Sequence, residues 1–238
     1  MTMKTYLEFS DIKLMEQAAS CQRDRLLIRL LSRLGCRISE ALALKVEDID
    51  FEQSTASILH LKRSLKLSCP GCKTRLGNHH QFCPGCGGKV SERTRSQQER
   101  KRIRVLPVDE ATLAMLEGYI NKLSSDSGKS PLFNLNRHRA WQIVRDCARR
   151  VGLPDLINPE TGRVRGVSPH RLRDAFSVHA MKVDDSGDGL RLLQEHLGHI
   201  SFNTTARYRK IAGEEHRQWY NRLWWQHSSS PVTHMFQK

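Results

Sequence analysis

Ser168-Pro169-His170-Arg171-Leu172-Arg173, then Leu197-Gly198-His199, then Thr204-Thr205 and Tyr208, set the reading of this chain. Ser168 followed by Pro169 marks a helix N-terminus. His170 and Arg173, three residues apart, then share one face of that helix. The free N–H groups at such an end favour a bound phosphate. Gly198 closes a later helix and places His199 at a turn, and Tyr208 follows nine residues on. Tyr208 is one of four tyrosines and stands between Arg207 and Arg209, an odd setting for a core aromatic. Tyr6 and Tyr119 fall in segments that read as structural, and Tyr220 belongs to an aromatic run (Trp219, Tyr220, Trp224, Trp225) suited to packing. Far upstream, Gly35-Cys36-Arg37-Ile38-Ser39-Glu40 supplies another arginine. Taken alone, Arg37 reads equally well as the partner of Glu40 in a surface salt bridge worth a few tenths of a kcal/mol. Two guanidiniums are nevertheless what a pentavalent phosphorane needs, because each forks onto non-bridging oxygens and stays charged. The set has the groups required for phosphoryl transfer through a tyrosine.

The order Arg37, His170-x-x-Arg173, Leu197-Gly198-His199, Tyr208 resembles the tyrosine recombinase (phage integrase) family. The surrounding residues agree: Leu34-Gly35-Cys36-Arg37-Ile38-Ser39-Glu40-Ala41-Leu42 upstream, and Thr204-Thr205 before Tyr208. The resemblance runs from about Tyr6 to Leu223, with one interruption. It implies that Tyr208 attacks a DNA backbone phosphate, forming a 3′-phosphotyrosyl link and releasing a 5′-hydroxyl. Arg37 and Arg173 would clamp the phosphate, His199 would add a hydrogen bond, and His170 would assist proton transfer at Tyr208. A lysine on the hairpin between the second and third strands would protonate the leaving oxygen; Lys62 is the first choice, with Lys66 and Lys101 as alternates. The resemblance further implies no catalytic metal and no ATP, double-stranded DNA as partner, and a homotetramer on DNA. Family members carry an N-terminal helical clamp, and this sequence starts almost at the catalytic domain, so the clamp is expected to be absent, cut from the sequence or supplied by a partner protein.

The chain reads as mainly α with a small three-stranded antiparallel sheet (α+β), a recombinase catalytic-domain fold carrying a zinc-ribbon insertion. Asp11 is placed as the cap of a helix through Ala19, and Arg23–Leu34 and Ser39–Leu44 follow as helices. Strands are expected at Asp48–Phe51, Thr55–Leu61 and Ile103–Val108. Asp109 caps a helix to about Leu123, and another spans Arg139–Val151. Pro154–Gly166 reads as a long connection. Further helices fall at His170–Val183, Leu190–Leu197, Thr204–Lys210 and Glu214–Trp225. The last is amphipathic, fit to pack on a neighbouring subunit or on its own core. In domain terms, residues 1–62 and 101–227 form the catalytic domain, 63–100 an insertion and 228–238 a flexible tail.

The insertion together with its flanking residues accounts for most of the charge. Twelve Lys/Arg stand against Glu92 and Glu99 between Lys62 and Arg104, giving +10 of the chain's +14. That concentration points to a polyanion, with Arg63, Lys66, Lys73, Arg75, Arg93, Arg95, Lys101 and Arg102 as candidate DNA contacts. Within it, Cys69-Pro-Gly-Cys72 and Cys83-Pro-Gly-Cys86 have the spacing of one tetrahedral Zn²⁺. Four thiolates leave no open position, so the zinc would be structural, with His79 and His80 as bystanders. A redox dithiol pair is the competing reading. The other cysteines, Cys21, Cys36 and Cys147, sit in partly apolar helical stretches, as reduced thiols would. No apolar run reaches the roughly 18 residues of a membrane span, and no signal peptide precedes Tyr6, so a cytoplasmic, nucleoid-associated protein is expected.

Four classes compete: a site-specific recombinase or integrase, a non-catalytic regulatory DNA-binding protein of the same fold, a type IB topoisomerase-like relaxing enzyme, and a zinc-ribbon adaptor. The complete set of Arg37, Lys62, His170, Arg173, His199 and Tyr208 favours the first.

Overall fold

A computed structural model describes residues 4–59, 67–77, 80–92, 103–123, 130–158, 161–199 and 201–210. The element that organises them is α2 (Gln22–Arg33), whose Leu26, Leu27, Ile28, Leu30 and Leu31 are all fully buried. A helix apolar over so wide an arc must be covered on several sides. Around it pack α1 (Phe9–Gln17), α3 (Ile38–Ala43), α4 (Glu110–Ile120), α5 (Arg137–Arg150) and α6 (Pro169–Val183). A second apolar cluster of Met181, Leu190, Leu193 and Leu197 joins α6 to α7 (Gly187–Leu197) and α8 (Phe202–Lys210).

The expected three-stranded sheet is present as β1 (Ile49–Asp50), β2 (Thr55–Leu59) and β3 (Ile103–Pro107), antiparallel in that order. Ala56 faces Leu106 and Ile58 faces Arg104 across β2 and β3. Alternation puts Ala56, Ile58 and Leu106 into the core and leaves Ile103 and Val105 outside. Arg104 shares the inward face with Leu106, an uncommon position for an arginine. The segment joining β2 to Leu67, which carries Lys62, lies outside the described residues, as does the Glu214–Trp225 segment.

The helices follow the sequence with small shifts. Asp109 caps α4, accepting from the Thr112 amide at 3.1 Å. Asp11 is not a cap: it lies in the first turn of α1 and accepts the Glu8 amide at 2.7 Å, so the helix begins earlier, at Phe9. The acidic residue thus serves from N3, where its carboxylate can reach back to the cap's N–H. The connection Pro154–Gly166 is not irregular throughout. It folds into a hairpin of β4 (Leu156–Ile157) and β5 (Val164–Arg165), turning through Gly162 at φ +66°. Strands of two residues are too short for alternation to show in sequence.

Residues 67–92 keep a miniature core of their own, Leu67, Cys69, Leu76 and Cys83 with Val90 against them. Two short antiparallel bridges, Ser68 with Arg75 and Phe82 with Lys89, close the two Cys-Pro-Gly-Cys turns. Cys36 and Cys147 are buried as expected, whereas Cys21 is exposed. No described helix is long and apolar enough to cross a membrane.

Candidate active site and metal centre

The residues singled out from the two ends of the chain meet in one cleft of about 780 Å³, lined by Arg37, His170, Arg173, His199 and Tyr208 among others. Three elements bring them there. Gly35, which ends α2 at φ +55°, lets the chain turn so that Arg37 starts α3. A side chain at Gly35 would also run into the Phe176 ring, 2.6 Å from a Cβ built there. Helix α6 carries His170 in its first turn and Arg173 in the next. Gly198, left-handed at φ +65°, ends α7 and turns His199 into the cleft. Helix α8 then presents Tyr208, its ring stacked on His199 at 6.4 Å between centroids.

Arg173 is 2 % exposed and anchored from both sides: NH1 donates to the Gly35 carbonyl and NH2 to the Leu197 carbonyl at 2.8 Å. It therefore ties together the two glycine turns that deliver Arg37 and His199. Burial, and then the charge of Arg37, lower its pKa to about 10, which leaves it cationic at neutral pH. Arg37 donates through NH1 to Glu40 at 2.8 Å, and its own amide donates to the other carboxylate oxygen at 2.9 Å. The salt bridge and the site position are thus both real uses of Arg37. Glu40 is fully buried and takes another bond, at 2.8 Å, from Arg104. Burial alone would raise its pKa, but Arg104 and then Arg37 hold it below the ordinary carboxylate value. Arg37 and Arg104 share this one buried carboxylate and Arg173 carries a further charge nearby, so the site has a surplus of positive charge that an anion would neutralise. Nε and NH1 of Arg104 are buried without partners among the described residues.

His199 Nε2 lies 3.0 Å from Arg173 NH2, and Nδ1 lies 2.9 Å from Thr205 Oγ1. A guanidinium only donates, so Nε2 is the acceptor and Nδ1 carries the proton toward Thr205. Burial, then Arg173 and Arg37, press the His199 pKa down to about 4, so the ring is neutral. In this arrangement His199 orients Arg173, and donating to a phosphate would require its other tautomer. His170 is largely exposed, 3.7 Å from Asp174 Oδ1. Tyr208 donates its hydroxyl to the same Asp174 oxygen at 3.0 Å. Burial first, and Asp174 next, lift its pKa to about 12.

Several lining residues escaped the sequence reading. Asp174 carried a faint signal, a carboxylate four residues after His170 on the same helix face. Arg104 carried a clearer one, a charge at an inward strand position. Arg145, stacked over Trp141 at 5.0 Å, and Arg163 and Arg165 around the β4–β5 hairpin make the cleft wall basic. Of the DNA-contact candidates in the insertion, Lys73 and Arg75 are described; Arg63, Lys66, Arg93, Arg95, Lys101 and Arg102 lie outside the described residues, as do Lys62 and His79.

The four expected cysteines do come together: the Sγ atoms of Cys69, Cys72, Cys83 and Cys86 all lie within 4.8 Å of one another. Cys69 to Cys86 is 3.6 Å and Cys72 to Cys83 is 3.4 Å. A tetrahedron of thiolates about 2.3 Å from Zn²⁺ has edges of about 3.8 Å, so the cluster fits that ion. The Thr74 hydroxyl and then its amide draw the Cys72 thiol down to about 6. Cys86 moves up to about 12, the Gly88 amide's lowering being outweighed by the three other sulfurs. Four thiolates this close need a cation to ionise together. His80 stands apart, accepting from the Gly77 amide at 3.2 Å.

The Phage integrase family profile matches residues 5–75 of the chain. Tyrosine recombinase XerC of Roseiflexus castenholzii is 30 % identical over 204 residues, 81 % of this chain and 48 % of that protein. These matches support the tyrosine recombinase family. Tyrosine recombinase XerA of Pyrococcus horikoshii is 26 % identical over 216 residues, 87 % of this chain and 57 % of that one. The chain thus spans about half the length of the curated tyrosine recombinases it matches. Among solved structures, an XerA recombinase aligns with a TM-score of 0.60 at 22 % identity over 93 % of this chain and 64 % of the other. The catalytic domain of bacteriophage HP1 integrase aligns with a TM-score of 0.53 at 18 % identity, over 98 % of this chain and 99 % of that one. These alignments establish the fold, mainly helical with a small antiparallel sheet.

Proposed function

We propose that the chain is the catalytic part of a site-specific DNA recombinase or integrase, which cleaves and rejoins DNA through a 3′-phosphotyrosyl intermediate. One observation carries the reading: a tyrosine hydroxyl and two arginines face one basic cleft whose positive charge is not balanced from within. Arg37 and Arg173 bind the non-bridging phosphate oxygens, with Arg173 held in place by His199. Tyr208 attacks in line. Lys62 protonates the leaving 5′-oxygen. The bond energy is kept in the phosphotyrosine, so rejoining needs no ATP. Double-stranded DNA is the substrate, and XerH, a solved structural neighbour of similar fold, is described as bound to its difH substrate. The working form on DNA is a homotetramer.

The insertion, residues 63–100, is a basic ribbon in which Cys69, Cys72, Cys83 and Cys86 hold one structural Zn²⁺. Bound there, zinc would supply folding energy to a segment with little apolar content. The ribbon adds to the DNA contact through Lys73, Arg75 and the neighbouring basic residues.

The test is covalent capture. A pool of nicked duplexes with a randomised central segment is incubated with the protein, and protease-sensitive adducts are recovered from a denaturing gel. Adducts that vanish in Tyr208→Phe support the reading and reveal the DNA site. Tight binding with no adduct would move the chain to the regulatory class. Site-independent relaxation of supercoiled plasmid would move it to the topoisomerase-like class.

A further inference from the structure

We propose that Asp174 is a catalytic residue that takes the proton from Tyr208 as the phenol oxygen attacks phosphorus. The inference rests on the phosphotyrosyl reading above and adds a residue to it. Tyr208 is not poised toward an imidazole; its hydroxyl donates to Asp174 Oδ1 at 3.0 Å. The carboxylate is only 15 % exposed, and Arg171 approaches its other oxygen at 3.4 Å, which aims Oδ1 at the phenol. His170 Nε2, on the exposed side, lies 3.7 Å from that same Oδ1. The carboxylate therefore stands between the nucleophile and the histidine, and His170 is the next group on the proton's way to solvent. The other charged groups facing the pair are Arg173 from α6 and, neutral in the resting state, His199 from the turn before α8.

A resting phenol whose pKa stands at about 12 cannot ionise first and attack afterwards at neutral pH. Its acidity rises only as the new bond to phosphorus forms, which is when an acceptor already in hydrogen-bond reach is useful. The Tyr208 Oη–P bond forms and the P–O5′ bond breaks. The phenol proton moves to Asp174 Oδ1, and the 5′-oxygen takes a proton from a lysine ammonium, Lys62 in our reading, or from water. Rejoining reverses each transfer, with the Asp174 carboxylic acid returning the proton to the departing tyrosine.

The experiment uses the duplex recovered by covalent capture, made with a bridging sulfur in place of the 5′-oxygen, so that the leaving group needs no acid. Adduct formation is timed in single turnover from about pH 6 to about pH 9 for wild type, Asp174→Asn and Asp174→Glu. Asp174→Asn is expected to slow the step by about 10²- to 10⁴-fold and to make it climb with pH, as a phenol losing its proton to hydroxide must. Asp174→Glu is expected to restore part of the rate and the flatter profile. Thermal melts check that each variant is folded. Independently of DNA, Tyr208 labelled at its ring carbon should titrate lower in Asp174→Asn than in wild type, because the carboxylate is one of the causes that raise it. A wild-type rate and profile in Asp174→Asn overturns the inference while leaving the tyrosine chemistry intact, and a faster Asp174→Asn does so by making the carboxylate a brake. An unchanged Tyr208 titration removes the contact on which it stands. No adduct even with wild type overturns the recombinase reading itself, and this inference with it.

Discussion

At the scale of single residues, the site is built from groups whose ordinary behaviour is altered by what surrounds them. His199 is the clearest case. Burial and two arginines hold its folded pKa near 4, below the ordinary value of 6.5. Between those two pH values the unfolded chain binds the proton and the folded chain does not, so stability rises with pH across the window. The contribution is whole above about pH 6.5 and is lost as pH falls toward about 4. His196 and His179, lowered chiefly by burial, act in the same direction, so the test is a difference. Urea melts of wild type and His199→Gln between about pH 7 and about pH 4 should show a shallower fall in the variant. Equal slopes would mean that the neutral, Thr205-bonded histidine does not persist in solution. The identities of Arg37, His170, Arg173, His199 and Tyr208 as cleft-lining residues were legible in sequence because each sits beside a glycine, a proline or another motif residue at fixed spacing. Asp174 was only faintly so, and the bond from Thr205 to His199 was not, because a carboxylate or a hydroxyl on a helix is ordinarily a solvated group and only the fold says which atom it faces.

At the scale of elements, the buried Glu40 links α3 to the sheet. Arg37 starts the helix that carries Glu40, and Arg104 comes from β3, sixty-four residues later. The carboxylate is flanked by two guanidiniums whose side chains are 22 % and 12 % exposed. Removing one member of such a group leaves like charges buried and uncompensated, at a cost of about 3–5 kcal/mol. Glu40→Ala should therefore lose about that much in denaturant unfolding, and should lower covalent capture beyond the loss of folded protein because Arg37 loses its carboxylate anchor. Loss of less than about 1 kcal/mol would show that water or a bound anion replaces the carboxylate freely. The long elements could be read in advance. The apolar face of α2 and the alternation of β3 recur over enough residues to be unambiguous. The β4–β5 hairpin could not, since two-residue strands held by a glycine turn carry no periodicity, and Asp11 looked like a cap because N-cap and N3 favour the same acidic residue.

At the scale of the whole molecule, the proposed function leaves two basic surfaces as candidates for the main DNA contact. Sequence drew attention to the insertion and its flanks, Lys62 to Arg104, where +10 of the +14 is concentrated. The fold reveals another in the cleft wall, where Arg145, Arg163 and Arg165 line the same cavity as Tyr208. Their positions predict different failures. Each arginine that neutralises a phosphate adds about 0.9 to the slope of log affinity against log salt. Arg163→Ala with Arg165→Ala should flatten that slope by about 2 and weaken capture, while leaving the zinc content near one per chain. Cys69→Ser with Cys83→Ser should abolish metal binding and the hydrogen-exchange protection of residues 67–77 and 80–92, because the core there, among the described residues, is four buried side chains. If the ribbon contacts DNA, that variant also loses affinity and salt dependence. If it loses zinc yet binds DNA as wild type does at moderate salt, the ribbon's charge is directed elsewhere. The cleft arginines then carry the DNA contact, and the ribbon becomes a surface for another protein.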